Sequence, residues 1–255
     1  MDIASRQIFP HLFPVAEDGT RIESGEFPST AWTLIVQAGG SDDRAQMAME
    51  KLCQLYWFPL YAFARRIGNS REDAEDSTQG FFTKMIDGAY LEKAREEKGR
   101  MRTFLLTCFK RYLRDEWKKA TADKRGGGQE ILSIDVEQAE ERLADENEDS
   151  PEKLYERRWA LAVLDGVVQA LGDEYEVRGK SRLFQELRPF LMPGEEQHGY
   201  QGVAERLGMK ENAVGVAVYR LRKRFGELMQ RHVMATVEDE SEVQNELRYL
   251  IGALG

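Results

Sequence analysis

Cysteine and histidine are scarce in this 255-residue chain, and each shortage closes off a class of function. There are two cysteines, Cys53 and Cys108, and both fall in segments with helical apolar spacing. They are expected to be buried, reduced thiols, which excludes a disulfide-stapled scaffold. The three histidines, His11, His198 and His232, are isolated and have no cysteine or carboxylate at ligand spacing, so no metal site is expected. The glycine run "RGGGQ" at 125–129 lacks the following lysine and the preceding strand of a phosphate loop. Strand-like alternation of useful length and internal repeats are absent. No apolar run approaches the ~20 residues that span a bilayer. The N-terminus lacks a basic start followed by an apolar stretch, so no secretion signal is read there. These absences point to a cytoplasmic, non-enzymatic protein with no cofactor and no membrane insertion.

What is present is charge, unevenly spread. The net charge is −9, which by itself argues against nucleic acid. Yet residues 99–125 hold nine Lys/Arg against three Asp/Glu, a balance of +6. Residues 206–231 hold seven against two, a balance of +5. Between them, 135–149 carries eight acidic residues and one arginine, a balance of −7. Two basic blocks parted by an acidic one suggest two DNA-facing modules and a linker that DNA would repel.

The apolar spacing is helical throughout, and an all-α fold of two helical domains is expected. Met49, Leu52, Cys53, Tyr56, Leu60, Phe63, Ala64 and Ile67 mark one face of a long helix, with Pro59 bending it and Gly68 stopping it. Asn69 or Ser70 caps the next helix, over 70–85. Its inner face is Ala74, Phe81, Phe82, Met85 and Ile86, and Glu72, Glu75, Asp76 and Gln79 form an outer stripe. Such a stripe is either a solvated face or a docking face for a basic helix. A third helix, over 100–122, has Met101, Leu105, Cys108, Phe109, Tyr112 and Leu113 inward, with Lys110, Arg111, Arg114 and Lys118 on other faces. Basic residues interleaved with Phe104, Tyr112 and Trp117 suit single-stranded DNA, whose bases stack on rings. Core positions are the expectation for Phe104 and Tyr112, and both readings stand for Trp117.

Ser150 and Pro151 open a helix over 151–171 with Gly172 past its end. A shorter helix follows over 181–191. Then "YQGVAERLGMKENAVGVAVYRLRKRF", residues 200–225, has the spacing of a helix-turn-helix: Ala204 lets two helices approach and Gly208 makes the turn. Val203, Leu207, Met209, Val214, Val218 and Leu221 pack the pair. Its second helix, from Glu211, would enter the major groove, with Arg220, Arg222, Lys223 and Arg224 holding phosphates. A last amphipathic segment has Val243, Leu247, Leu250, Ile251 and Leu254 on one face.

The stretch "LCQLYWFPLYAFARRIGNSREDAEDSTQGFFTKMI" resembles region two of the extracytoplasmic-function (ECF) sigma factors of bacterial RNA polymerase, and residues 200–225 resemble their region-four helix-turn-helix. "FPSTAWTLI" and "SPEKLYERRWALAVL" look like a large subgroup of them found in bacteria such as planctomycetes. The resemblance covers about 27–233. It implies a loose segment at 1–27, region two at 28–124, an acidic linker at 125–149, region four at 150–232 and a C-terminal amphipathic extension at 233–255. The extension would cover the second domain or bind a regulator, such as an anti-sigma protein.

The resemblance also implies roles. Asp73, Glu75, Asp76 and Gln79 would contact the beta-prime clamp helices of core RNA polymerase. Arg100, Arg102, Lys110, Arg111, Arg114, Trp117 and Lys118 would hold the minus-ten promoter DNA as unstacked single strand. Lys210, Asn212, Tyr219, Arg220, Arg222, Lys223 and Arg224 would engage the minus-thirty-five duplex. The chain departs from the family at Gly215, Val216 and Ala217, where members carry Lys or Arg. Two other functions fit the same residues: a stand-alone helix-turn-helix regulator, and a sigma-like interaction module that has lost promoter reading.

Overall fold

The computed structural model describes residues 43–87, 90, 100–122, 150–191, 199–237 and 239–254. The N-terminal segment, most of the loop before the basic helix and the acidic linker lie outside the described residues, as do His11 and His198. Among the described residues there are eight α-helices and no strand, so the chain is all-α. They are α1 Asp43–Arg66, α2 Arg71–Ile86, α3 Met101–Ala122, α4 Pro151–Val177, α5 Ser181–Leu187, α6 Gln201–Leu207, α7 Glu211–Met234 and α8 Val243–Leu254. Short 3₁₀ turns occupy Arg188–Leu191 and Glu240–Glu242.

Two compact units result. The first contains Met1–Ala160 together with Ala235–Gly255, and the second is Leu161–Met234. The division differs from the one read at residue 150. It falls within α4, and Ala235–Gly255 groups with the first unit.

In the first unit α1 is the central element. From Tyr56 to Ala64, residues Tyr56, Trp57, Leu60, Tyr61, Ala62, Phe63 and Ala64 are all buried, more than one helical face can supply. Pro59 lies inside α1, which runs on to Arg66. Ile67, read as part of the inner face, is exposed past the helix end. Helix α2 starts at Ser70, whose hydroxyl accepts from the Asp73 backbone N–H at 3.0 Å. It contributes Ala74, Phe81, Phe82 and Met85 to the core, and α3 contributes Met101, Phe104, Leu105, Cys108, Phe109 and Tyr112. Phe81 sits 5.2 Å from Phe109 and 5.6 Å from Phe82 in edge-on geometry, the arrangement that ring quadrupoles favour. Cys108 is buried and Cys53 half-buried, and neither is in a disulfide.

The second unit packs Val163, Val167 and Leu171 of α4 with Phe184, Leu187 and Phe190, then Val203 and Ala204 of α6 and Val214, Val218, Leu221 and Val233 of α7. Gly172 does not end α4, which continues to Val177. A Cβ at 172 would press on the Phe184 ring at 3.1 Å, so this glycine serves close packing. The chain turns instead at Gly179, where φ is +66°.

Gly80 of α2 is the tightest approach among the described glycines of the first unit, because a Cβ there would collide with the Tyr112 hydroxyl. Gly80→Ala is expected to destabilise by about 1–3 kcal/mol, the usual cost of overpacking. Adding Tyr112→Phe removes the colliding oxygen and should recover most of that loss. Urea unfolding of the three variants checks both, and an unrecovered double variant would place the constraint elsewhere.

Candidate nucleic-acid interface

The acidic helix α2 is oriented by its core face. With Ala74, Phe81 and Phe82 inward, Glu72, Asp73 and Asp76 are exposed and Glu75 half-buried. Asp73 has a local task as well: its carboxylate accepts from the Ser70 hydroxyl at 2.8 Å and closes the helix start. Gln79 is not on the outer stripe. It is buried, and its amide donates to Glu75 at 3.2 Å.

The basic helix α3 splits into two halves with different duties. At its start, Arg102 is buried and ion-paired with Glu246 of α8, which is fully buried. Its Nε donates to Glu246 Oε1 at 2.7 Å and its Nη2 to Oε2 at 3.4 Å. The guanidinium lies over the Tyr249 ring at 3.7 Å and over Trp159 at 5.3 Å. Glu156 stands 3.5 Å away. Burial opposes the arginine's charge, but the hydrogen bond and charge of Glu246 outweigh it and raise the Arg102 pKa. Arg100 is drawn into the same cluster, 3.1 Å from Glu246 and 3.5 Å from Glu242. The Tyr155 hydroxyl donates to the Arg102 carbonyl, and the Met101 N–H to the Thr236 carbonyl. Arg102 was expected on DNA. Here it is a structural cation, and the partner that makes it so is 144 residues away.

The far half of α3 is open. Trp117 is 68% exposed and is flanked by exposed Arg114, Lys118 and Lys119, with half-buried Arg111 one turn and a half earlier. Glu116 anchors this end by accepting from Lys84 at 2.8 Å and from Lys119 at 3.0 Å, which lowers its pKa. Lys110 pairs with Glu152 at 2.6 Å on the surface. An exposed indole among cations is the arrangement that stacks an unpaired base and holds its phosphates.

In the second unit, Gly208 caps α6 in the left-handed region at φ 64°, and the Met209 N–H returns to the Ala204 carbonyl at 2.9 Å. This is the turn read from the sequence, and α7 follows from Glu211. Of the seven side chains proposed to face duplex DNA, Lys210, Asn212, Tyr219, Arg220 and Lys223 are exposed. The other two have structural tasks. Arg222 donates to the Phe190 carbonyl at 2.8 Å. Arg224 forks onto Glu174 of α4 at 2.6–3.1 Å and reaches Glu227 at 2.7 Å. That hydrogen bond holds the Glu174 carboxyl below the ordinary range and raises Arg224. His232 stands beside Gly166, its Nδ1 3.0 Å from the Leu228 carbonyl. Among the described residues no cluster of histidine, cysteine and carboxylate could hold a metal ion, and no helix is long and apolar enough to cross a membrane.

Residues 58–122 match the family model of Sigma-70 region 2. No curated protein and no solved structure matches the chain. The matched stretch runs from the middle of α1 to the end of α3. It supports a sigma-70-type chain with a role in RNA polymerase binding and promoter recognition. The region 2 stretch is completed from outside itself, because Glu246, Tyr249, Tyr155 and Trp159 all lie beyond the match and all close on Arg102 or its backbone.

Glu246→Gln leaves buried Arg102 with only the more distant, partly exposed Glu156 as counter-charge and is expected to cost about 3 kcal/mol. All four tryptophans precede residue 160, so indole fluorescence during urea unfolding follows the first unit alone. Replacing both members, Arg102→Met with Glu246→Leu, should restore much of the loss. In the second unit the lowered Glu174 pKa sets the sign of a pH effect. Its contribution is present above the ordinary carboxylate value of about 4.5 and is lost as pH falls through its folded value. Protection of α7 from hydrogen exchange should fall by up to about 1 kcal/mol through this pair as pH drops below about 4.5, and Glu174→Gln should flatten that part of the profile.

Proposed function

We propose that this chain is a cytoplasmic sigma factor of the ECF type that directs core RNA polymerase to promoters and initiates transcription. The observation that carries the reading is the match of 58–122 to Sigma-70 region 2, on a helix bundle whose basic end exposes Trp117 among cations. The chain itself does no chemistry. The acidic surface of α2, with Glu72, Asp73, Glu75 and Asp76, meets the clamp helices of the beta-prime subunit. Arg111, Arg114, Trp117 and Lys118 hold unstacked bases of the minus-ten element, at a cost of a few kcal/mol per base that binding offsets. The helix-turn-helix of the second unit acts as region four and reads the minus-thirty-five element as duplex. The acidic stretch 125–149 lies between α3 and α4 in the sequence and is repelled by DNA. This arrangement accounts for an acidic protein on promoters: its carboxylates face polymerase and its exposed cations face DNA.

The test is transcription in vitro with sigma-free core polymerase on fragmented genomic DNA from the source organism, read as RNA 5′ ends. Discrete starts sharing two upstream elements are expected. Glu72→Lys with Asp76→Lys should lower core affinity at least tenfold with an unchanged unfolding curve. Core binding without discrete starts would favour a sigma-like interaction module, and tight specific DNA binding without polymerase would favour a stand-alone regulator.

A further inference from the structure

The exposed face of α7 has an unusual make-up for a duplex-reading helix. Its first nine residues, Glu211–Tyr219, contain no lysine or arginine. Asn212, Val216 and Tyr219 follow the i, i+4, i+7 rule and share one exposed side. Val216 is 51% exposed and Tyr219 69%, so two large apolar groups stand in water on adjacent turns. With Tyr200, Glu211 and Gly215 they line an open recess of about 480 Å³. Gly215 contributes no side chain to it, and the Tyr200 ring lies 3.5 Å from where a Cβ would be.

The surroundings indicate what covers this face. Lys210 lies just before it, and Arg220 and Lys223 continue it along the helix, all three exposed. An apolar strip bracketed by cations is complementary to a polyanion with apolar groups on its inner surface. The major groove of duplex DNA is such a surface, because thymine projects its C5-methyl there and adenine offers the N6/N7 pair that an asparagine amide matches. Guanine is read chiefly by a bidentate arginine or lysine, and the first two turns of α7 carry neither.

We propose that α7 recognises A·T base pairs by apolar contact, with Val216 and Tyr219 against thymine methyls and Asn212 on a neighbouring adenine, while Lys210, Arg220 and Lys223 hold the phosphates. The departure at 215–217 from a basic recognition helix is then a change in the bases read. This inference rests on the sigma-factor reading and names the DNA chemistry of its upstream element.

The experiment uses the full chain assembled with core polymerase. Duplexes bound by the holoenzyme are selected from a random pool, and the upstream element they share is resynthesised with deoxyuridine for thymidine, which removes only the C5-methyl. An A·T-rich element is expected, with affinity falling about fourfold per contacted methyl, the transfer value of one buried carbon. Val216→Ala should abolish the methyl sensitivity at one base step and leave the salt dependence unchanged. Lys223→Gln should weaken all sequences alike and reduce the salt slope by about one. An upstream element indifferent to uracil, or one dominated by guanine, overturns the proposal. So does loss of core binding in Val216→Asp, which would assign the face to polymerase. Core binding with no upstream element overturns the proposal and spares the polymerase reading, whereas absence of core binding overturns both.

Discussion

A guanidinium and a carboxylate removed from water together must satisfy each other almost completely, since each alone would cost several kcal/mol. Arg102 and Glu246 meet that demand with two hydrogen bonds, a second carboxylate at Glu156 and the Tyr249 ring against the flat face of the arginine. Such a pair adds little net stability over a well-packed apolar one. It adds geometry: the fork of donors fits one arrangement of α3, the start of α4 and α8. The position of α3 follows from it, and with that position the outward placement of Trp117 and its neighbouring cations. The core below is apolar and aromatic, and would tolerate small shifts that the ion pair does not.

The cations of this chain therefore do two jobs that a charge count cannot separate. Arg102, Arg222 and Arg224 are spent inside their units, on a buried carboxylate, a backbone carbonyl and a half-buried glutamate. Arg114, Lys118, Arg220 and Lys223 are exposed. Both basic blocks consequently present less charge to a ligand than their sequences suggest.

What was legible in the sequence was local. The Ser70 cap, the left-handed Gly208, the core spacing of α2 and α3 and the burial of Phe104 all depend on residues within one or two turns, and periodicity reports those. What escaped was set at long range. Nothing near Glu246 in the sequence signals a buried carboxylate, and only the fold reveals its partner Arg102. Gly172 reads as a stop because nothing nearby shows the Phe184 ring that requires it. Gln79 falls on the acidic stripe by spacing, yet the bundle reaches far enough round α2 to bury it. Ile67 and Ile251 carry apolar side chains at the right period but lie where the core has ended.

The first unit is assembled from two stretches of chain, with the whole of Leu161–Met234 between them. On a ribosome, the usual order in which the N-terminal domain folds first does not hold here. When α3 emerges, Arg102 lacks its buried partner: Glu156 follows before the second unit, but Glu246 does not arrive until translation has passed it. At ordinary elongation rates the 144 residues between Arg102 and Glu246 take roughly 7–29 s, long on the scale of helix formation and collapse. The helix-turn-helix unit is free to fold during the wait, while the aromatic bundle remains open at one side. A nascent chain stalled in this interval would carry a formed second unit and an unfinished first one, a species that chaperones and proteases would treat as incomplete.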